Sequence, residues 1–322
     1  MTVTTPHASI RLLGIDGGGT TTVAWLAEPG CHILGRAVAG PSNAKAVGLE
    51  AARAALHSAI QGAFHAAGLT PAPVDVICLG LAGFDRPDDR KILAGWVDDA
   101  SWARQLVMVN DGDLVVAAGT RDGWGVGVIA GTGSIAVGRM RDGRTARAGG
   151  WGHLIGDEGS AYSVVLAALR RVACQADGRM PRLSSRDSLT ERICAALDVA
   201  EPSQIVTVIY SPEFTRAKIA SLAPEVLAAC AFAQDESRQL LVPAGAALGE
   251  MVAAVARALG WTSGLLPLAM AGGFLLSATI VQQAMIDHLI RQGYQVAVTP
   301  VPDPVRGAII LAEQVLTPTA RE

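Results

Sequence analysis

Three glycine-rich segments of the sequence combine a flexible backbone with hydroxyl or carboxylate side chains. They are residues 16–20 (Asp-Gly-Gly-Gly-Thr), residues 131–134 (Gly-Thr-Gly-Ser) and residues 149–160 (Gly-Gly-Trp-Gly-His-Leu-Ile-Gly-Asp-Glu-Gly-Ser). Glycine allows turns with positive φ and lets backbone N–H groups approach a bulky anion closely. The first two segments each lie between apolar, strand-like runs. They therefore predict a site that holds phosphate from two sides.

These segments do not follow the common nucleotide-binding motifs. The P-loop pattern G-x-x-x-x-G-K-[ST] is absent, and none of the three lysines lies beside a glycine loop. Residues 125–127 lack the third glycine of a dinucleotide fingerprint and lead into a strand. By itself, segment 16–20 is interpreted equally well as a hairpin turn. The second hydroxyl-bearing hairpin at 131–134 favours phosphate binding.

Two acidic positions are candidates for chemistry, and each has a structural alternative. Asp111 follows a predicted buried strand, where ligands bind in open α/β sheets, and could accept a proton from a sugar hydroxyl or hold a magnesium-bound water. It could equally cap the helix that follows, in which Asp113 is expected to point elsewhere. Asp157 and Glu158 could likewise be the cap and first-turn acid of the helix at Ser160.

The aromatic residues of segment 149–160 also have structural alternatives. Trp151 could be a core side chain, and His153 could be a buried histidine with satisfied hydrogen bonds. No other His, Cys or carboxylate lies at metal-ligand spacing from His153, so no tightly held transition metal is expected. The absence of a G-x-S-x-G elbow excludes a serine-hydrolase interpretation.

The elements that must position these residues follow the same order twice. In the first half, apolar periodicity predicts strands at 11–15, 22–27 and 32–39, a helix at 49–66, a strand at 74–79, a helix at 88–97 and a strand at 105–109. In the second half it predicts strands at 125–130, 135–140 and 145–148, helices at 160–176, 188–196, 216–233 and 236–259, a strand at 267–270, a helix at 277–292, a strand at 294–298 and a helix at 304–316. We interpret this order as an internal duplication in an α/β protein.

Composition excludes several classes of function. With 322 residues, 50% hydrophobic and 17% charged, the chain is expected to form one large or two moderate globular domains. A net charge of −3 without a basic run disfavours nucleic acid as a partner. The first residues do not resemble a signal peptide, and no run of about 18 apolar residues predicts a membrane span. The five scattered cysteines are expected in the core, in a reducing compartment, so a cytoplasmic location is expected.

The order of segments 16–20, 131–134 and 149–162, followed by Ala271-Gly272-Gly273, resembles the N-acetylglucosamine kinases. More widely, it resembles the BadF/BadG/BcrA/BcrD ATPase-like family of the sugar kinase–Hsp70–actin superfamily. This resemblance implies two ribonuclease-H-like lobes with ATP and sugar meeting in the cleft between them, usually in a homodimer. We expect an N-terminal lobe at 1–119, with the C-terminal segment 304–322 packing back on it, and a C-terminal lobe with a helical insertion at 120–303.

The resemblance also implies roles for individual residues. Asp111 matches the catalytic aspartate, and Asp16 matches the acid that orients Mg²⁺ through water. The residues that match ATP contacts are Gly18, Gly19, Thr20, Gly131, Thr132, Gly133, Ser134, Gly272 and Gly273. The residues that match sugar contacts are Asn43, Asp111, Gly150, Trp151, Gly152 and Asp157.

The expected activity is ATP-dependent phosphorylation of the 6-hydroxyl of N-acetylglucosamine. Glucosamine and N-acetylmuramic acid are alternative acceptors, because an Asp/Asn pair binds hydroxyls in all three sugars. A non-sugar ATPase or an ATP-driven switch is the alternative of a different class. The cysteine motifs of the iron–sulfur-linked ATPases and of the ROK sugar kinases are missing, and residues 177–262 match no known pattern.

Overall fold

The computed structural model describes residues 10–82, 84, 87–181, 188–232, 234–262 and 264–316, which form two compact units. Unit 1 comprises the described residues up to Gly123 and from Asp303 onward, and unit 2 those from Trp124 to Pro302. Unit 1 begins with β1 (Leu12–Gly17), β2 (Thr22–Glu28), β3 (His32–Ala39), α1 (Ala44–Val47), α2 (Leu49–Ala66), β4 (Val74–Leu81), α3 (Pro87–Asp99), β5 (Ala103–Val109) and α4 (Asp111–Gly119). Unit 2 contains β6 (Gly125–Ala130), β7 (Ser134–Arg139), β8 (Thr145–Gly149), α5 (Ala161–Ala176), α6 (Leu189–Ala196), a 3-10 turn (Pro202–Gln204), α7 (Ile205–Ile209), α8 (Arg216–Ala220), α9 (Ala223–Phe232), α10 (Gln234–Ala258), β9 (Leu265–Ala271), α11 (Gly273–Ser277), α12 (Thr279–Arg291) and β10 (Gln295–Pro300). The last helix, α13 (Val305–Leu316), belongs to unit 1.

Both units contain a five-stranded sheet of the same topology. The strand order is β3-β2-β1-β4-β5 in unit 1 and β8-β7-β6-β9-β10 in unit 2. In each sheet the first three strands of the unit are antiparallel neighbours, and the last two run parallel to the first. This is the ribonuclease-H-like arrangement. It confirms the expected α/β fold class and the internal duplication.

The adjacent strands β1 and β4 of unit 1 are buried on both faces, so they are almost continuously apolar. Along β1, Leu13 and Ile15 pack with the apolar side of α2, whereas Leu12 packs on the opposite face with α13. Close approach of α13 depends on Gly307, where a Cβ would collide with the carbonyl oxygen of Leu114. The hydrophobic core of unit 1 therefore includes a helix from the far end of the chain.

Helix α10 forms the centre of the unit 2 core. Its stretch Arg238–Ala258 is long and apolar enough to cross a membrane by length and composition. However, 61% of the most apolar 18-residue part of this stretch is buried inside the protein. Leu248, Val252 and Val255 on this helix are fully buried. We therefore interpret α10 as a core helix.

The predicted helix at 216–233 is two helices in the structure. Helix α8 ends at Ala220 and α9 begins at Ala223. The cause is Pro224, which lacks a backbone N–H and lies in the first turn of α9, the helix position that proline favours. The chain therefore starts a new helix there, and Arg216 lies at the beginning of the short first one.

Candidate active site

The first glycine segment forms the turn of a β-hairpin at the carboxyl end of β1. Gly17 pairs with Thr22 across the hairpin, which leaves residues 18–21 as the turn, and the Gly18 N–H donates to the Thr21 carbonyl at 2.9 Å. Neither Gly18 nor Gly19 has a positive φ, and a Cβ at Gly19 would meet nothing within 4 Å. Neither the backbone conformation nor the packing of the protein therefore requires glycine at positions 18 and 19. Open space above an exposed turn is what a bound anion would need.

The first turn is tied to the segment that follows β3. The carbonyl of Gly18 accepts from the N–H groups of both Ser42, at 3.1 Å, and Asn43, at 3.2 Å. The side-chain oxygen of Asn43 accepts from the Lys45 N–H at 3.1 Å and so caps α1. Asn43 therefore lies beside the first turn, with its backbone fixed by that turn.

Asp16 and Asp111 lie at the same edge of the unit 1 sheet. Asp16 pairs with Gly80 of the neighbouring strand β4, and Asp111 lies two residues after β5, on the other side of β4. Burial, and after it the negative charge of Asp111, raise the pKa of Asp16 to about 7. Two carboxylates that interact in this way form an oxygen donor set that suits a hydrated Mg²⁺ ion.

Asp111 is not the cap of its helix. Asn110 occupies the N-cap position of α4, and its N–H donates to the carboxylate of Asp113 at 3.2 Å. The Asp113 carboxylate therefore points back towards the start of the helix. This agrees with the expectation that Asp113 points elsewhere than Asp111. Asn110 is therefore the N-cap, with Asp113 as its capping-box partner, and the interpretation of Asp111 as the N-cap is wrong. Asp111 is the first helical residue, and its Oδ1 accepts from the Gly112 N–H at 2.9 Å.

The second glycine segment forms an equivalent hairpin turn in unit 2. Ala130 pairs with Ser134, so residues 131–133 make the turn, which closes through the Gly131 N–H and the Gly133 carbonyl at 2.9 Å. Gly272, at the end of the adjacent parallel strand β9, has φ +95° and packs so closely on Ala130 that a Cβ would collide with it. The structure thus brings the second turn and Gly272 to one edge of the sheet, with open space at Gly273.

The long loop, residues 150–160, leaves β8 at this same edge. Gly150 and Gly152 adopt positive φ values of +70° and +84°, which favour glycine, and the Gly150 N–H donates to the Ser134 carbonyl at 3.0 Å. Trp151 is 68% exposed, so its interpretation as a core residue is wrong. His153 is also exposed, and its ring packs edge-on against Tyr162 at 5.5 Å between centroids.

Asp157, near the end of the long loop, is buried and bonded from two directions. It is 3% exposed, with φ +63°. One carboxylate oxygen accepts from the Ser134 N–H at 3.1 Å, and the other accepts from Nη2 of Arg216 at 2.6 Å. The N-cap of α5 is Ser160, whose hydroxyl accepts from the Ser163 N–H, so the capping interpretation of Asp157 is wrong.

Sequence reasoning missed Arg216, which lies in the stretch that matched no pattern. The local sequence signal beside Arg216 is Thr215, which caps α8 by accepting from the Lys218 N–H at 3.4 Å. That signal marks the start of a helix and says nothing about the partner of the next side chain. The pairing joins residues 59 positions apart, so only the folded chain reveals it.

A duplicated ribonuclease-H-like fold with a glycine hairpin turn in each unit defines an actin-like ATP-binding protein. The carboxylate pair of unit 1 adds a group that can move a proton or hold a hydrated cation. Residues 13–312 match the BadF/BadG/BcrA/BcrD ATPase family, and the chain belongs to this family.

Three relatives are similar over most of their length. The N-acetylmuramic acid/N-acetylglucosamine kinase of Clostridium acetobutylicum is 31% identical over 264 residues, which cover 82% of this chain and 85% of the relative. The N-acetyl-D-glucosamine kinase of Dictyostelium discoideum is 29% identical over 313 residues, which cover 93% of this chain and 97% of the relative. A crystal structure from Chromobacterium violaceum, provisionally named an N-acetylglucosamine kinase, aligns with a TM-score of 0.71 at 30% identity and covers 95% of this chain and 99% of that one.

Proposed function

We propose that this chain is an ATP-dependent kinase that transfers the γ-phosphoryl group to the 6-hydroxyl of N-acetylglucosamine. Membership of an ATPase family supports the use of ATP, and the names of the Clostridium and Dictyostelium relatives support the acceptor. The observation that carries the proposal is the carboxylate pair Asp16 and Asp111 at the sheet edge that also bears the first turn. Phosphoryl transfer needs mainly positioning and charge stabilisation, which such an edge supplies.

Asp111 would be the general base. Its carboxylate would accept the proton of the 6-hydroxyl while the hydroxyl oxygen forms a bond to the γ-phosphorus. The bond from that phosphorus to the β,γ-bridging oxygen breaks, and ADP leaves with the bonding electrons. The N-cap of α4 is Asn110, and the Asp111 carboxylate accepts from the Gly112 N–H through Oδ1. This bond fixes the orientation of the carboxylate, and Oδ2 would be the oxygen that accepts the proton.

The remaining assignments concern binding. We assign the phosphates to the backbone of Gly18, Gly19 and Thr20 in the first turn and of residues 131–134 in the second, and adenosine to Gly272 and Gly273. Mg²⁺ would neutralise phosphate charge when bound, and Asp16 is the residue that would hold it through water. We assign the sugar to Asn43, Asp111, Gly150, Trp151, Gly152 and Asp157. The exposed indole of Trp151 is suited to the apolar face of a sugar ring.

N-acetylmuramic acid is the second candidate acceptor, and the name of the Clostridium relative favours it. Glucosamine is the third. A steady-state assay of ADP release over these three sugars, with a no-sugar control, tests the proposal. We expect turnover that depends on N-acetylglucosamine. Equal ATP hydrolysis with and without sugar would instead indicate an ATP-driven switch.

We further propose that the protein works as a homodimer in the cytoplasm with a small-molecule amino sugar as its partner. The resemblance to the N-acetylglucosamine kinases supports the dimer, and the composition supports the cytoplasm. Sedimentation equilibrium tests the dimer directly. A single species of monomer mass, 33.2 kDa, at micromolar concentration would contradict it.

A further inference from the structure

The ion pair between Arg216 and Asp157 joins three separate segments of unit 2. Arg216 opens α8, and its Nη2 donates to Asp157 at 2.6 Å. The same carboxylate accepts from the Ser134 N–H, which belongs to the strand just after the second turn. One buried carboxylate therefore connects helix α8, the long loop and the start of strand β7, next to the second turn.

The two partners differ in burial. The side chain of Asp157 is 5% exposed, whereas that of Arg216 is 36% exposed. A carboxylate with so little access to water is strongly disfavoured unless a cation and hydrogen bonds compensate for its lost hydration. The structure supplies one cation, Arg216, and one backbone donor, the Ser134 N–H.

The guanidinium is also placed by its other neighbours. Its carbon lies 5.8 Å from the centre of the Tyr162 ring, and a Cβ on Gly133 would lie 2.5 Å from Nη2. A Cβ at position 133 would therefore displace the Arg216 guanidinium or the Asp157 carboxylate, whose Oδ1 would lie 2.7 Å away. A planar guanidinium can stack on a ring while donating in its own plane, which a lysine ammonium cannot do.

We infer that Arg216 is a positioning residue that fixes Asp157 and the second turn in one arrangement. The inference rests on the proposed function, in which Asp157 contacts the sugar and the second turn contacts the ATP phosphates. Because the same carboxylate bonds both Arg216 and the Ser134 N–H, the loss of Arg216 disturbs the sugar site and the ATP site together. A residue that contacted only one substrate would disturb only that one.

The test is the KM for each substrate in Arg216→Gln. We expect both the sugar KM and the ATP KM to rise about tenfold, with a smaller change in kcat. Arg216→Lys keeps the charge and should recover part of the loss. Arg179→Gln is the matched control, because Arg179 also pairs with an aspartate at 2.6 Å, but with both side chains more than half exposed. It should leave both KM values unchanged.

The double variant Arg216→Gln/Asp157→Asn separates positioning from direct contact. Removing the buried charge together with its cation leaves no uncompensated carboxylate, so the ATP KM should return towards that of the wild type. If Arg216 contacted phosphate directly, the ATP KM of the double variant would stay high. Either this outcome or unchanged KM values in Arg216→Gln would overturn the inference.

The inference and the proposed function can fail separately. A wild-type protein without sugar-dependent turnover contradicts the proposed kinase. In that case calorimetric titration with a non-hydrolysable ATP analogue still measures the effect on the second turn. If Arg216→Gln does not fold, the same measurements on Arg216→Lys and on the double variant decide the matter.

Discussion

At the scale of residues, two aspartates in helix α4 have different surroundings although they are two positions apart. Asp113 accepts from the N–H of Asn110 and so completes the helix start. Asp111 precedes it at the sheet edge, where its negative charge contributes to the raised pKa of Asp16. Both carboxylates therefore accept a backbone N–H at the helix start, Asp111 from Gly112 at 2.9 Å, but the charge of Asp111 also acts on Asp16.

Asp111→Asn should lower kcat by about 10²–10⁴, because the amide cannot accept the hydroxyl proton. The affinity for ATP, measured by calorimetry, should be nearly unchanged. Asp113→Asn is the matched control within the same helix. It should keep its turnover and lose about 1 kcal/mol of stability through the weaker cap. Near-normal kcat in Asp111→Asn would refute the proposed base.

Asp16→Asn should stabilise the metal-free protein at pH 8. The pKa of Asp16 is higher in the folded state than in the unfolded state, so the folded protein holds an extra proton between about pH 4 and pH 7. The stability contributed by this proton is lost as the pH rises through 7. The neutral amide avoids that loss, which is on the order of 4 kcal/mol because each pKa unit corresponds to about 1.4 kcal/mol.

Urea unfolding in the presence of EDTA at pH 8 and pH 4 measures this effect. The stability difference between Asp16→Asn and wild type should disappear towards pH 4, where the wild-type carboxyl is protonated in the folded state. Asp88→Asn, at a side chain 91% exposed, is the control and should show no such pH dependence. A variant less stable than wild type at pH 8 would show that the carboxylate contributes favourably there.

At the scale of elements, the two hairpin turns are equivalent in topology but not in their surroundings. The first turn has open space above Gly19, and a Cβ at Gly18 would meet only the Thr21 carbonyl oxygen, at an ordinary contact distance of 3.8 Å. In the second turn, Gly131 has the same freedom, whereas Gly133 is enclosed by Arg216 and Asp157. Substitutions at Gly18 and Gly131 should therefore affect only the binding of a ligand. A substitution at Gly133 should also disturb the ion pair between Arg216 and Asp157.

Gly18→Val and Gly131→Val should each weaken ATP binding by at least tenfold while the circular dichroism spectrum and melting temperature change little. The reason is that a branched side chain fills space the protein leaves open and that phosphate would occupy. Titration calorimetry with ATP provides the measurement. Gly133→Val should also lower the melting temperature, because it displaces the Arg216 guanidinium. Normal ATP binding in both Gly18→Val and Gly131→Val would mean that the turns are ordinary hairpins.

At the scale of the whole molecule, unit 1 is completed by a helix from the opposite end of the sequence. Helix α13 packs on β1 with Ile309 and Ala308 fully buried, and Gly14 provides the space that this contact needs. The backbone N–H of Gly30 further donates to the carboxylate of Glu313 in this helix at 2.8 Å. Unit 1 can therefore complete its core only after the chain that forms unit 2 has been made.

Ile309→Ala should reduce the free energy of unfolding of unit 1 by about 2–5 kcal/mol, the range for removing a buried isoleucine side chain. Ile290→Ala, at a residue 57% exposed in unit 2, should change it little. Hydrogen exchange measured separately in β1 and β6 distinguishes the units. Loss of protection in β6 but not in β1 would contradict the assignment of α13 to unit 1.

Much of the architecture follows from local patterns in the sequence. The two strand–turn–strand openings, helix α2 and the buried strand β4 were predictable because glycine turns and apolar periodicity act within a few residues. The helix over 216–233 was not, since the effect of Pro224 competes with a long apolar pattern on either side. Local propensity favours one helix there, but the missing N–H starts a second one.

The sequence by itself determined which residues can do chemistry and near which strand ends they lie. The tertiary structure decided what those residues contact. It assigned the cap of α4 to Asn110 and Asp113, exposed Trp151, and paired Asp157 with Arg216. The physical reason is distance along the chain. Turn and strand preferences arise between neighbouring residues, whereas the partner of a buried charge is set by packing between segments that no local pattern connects.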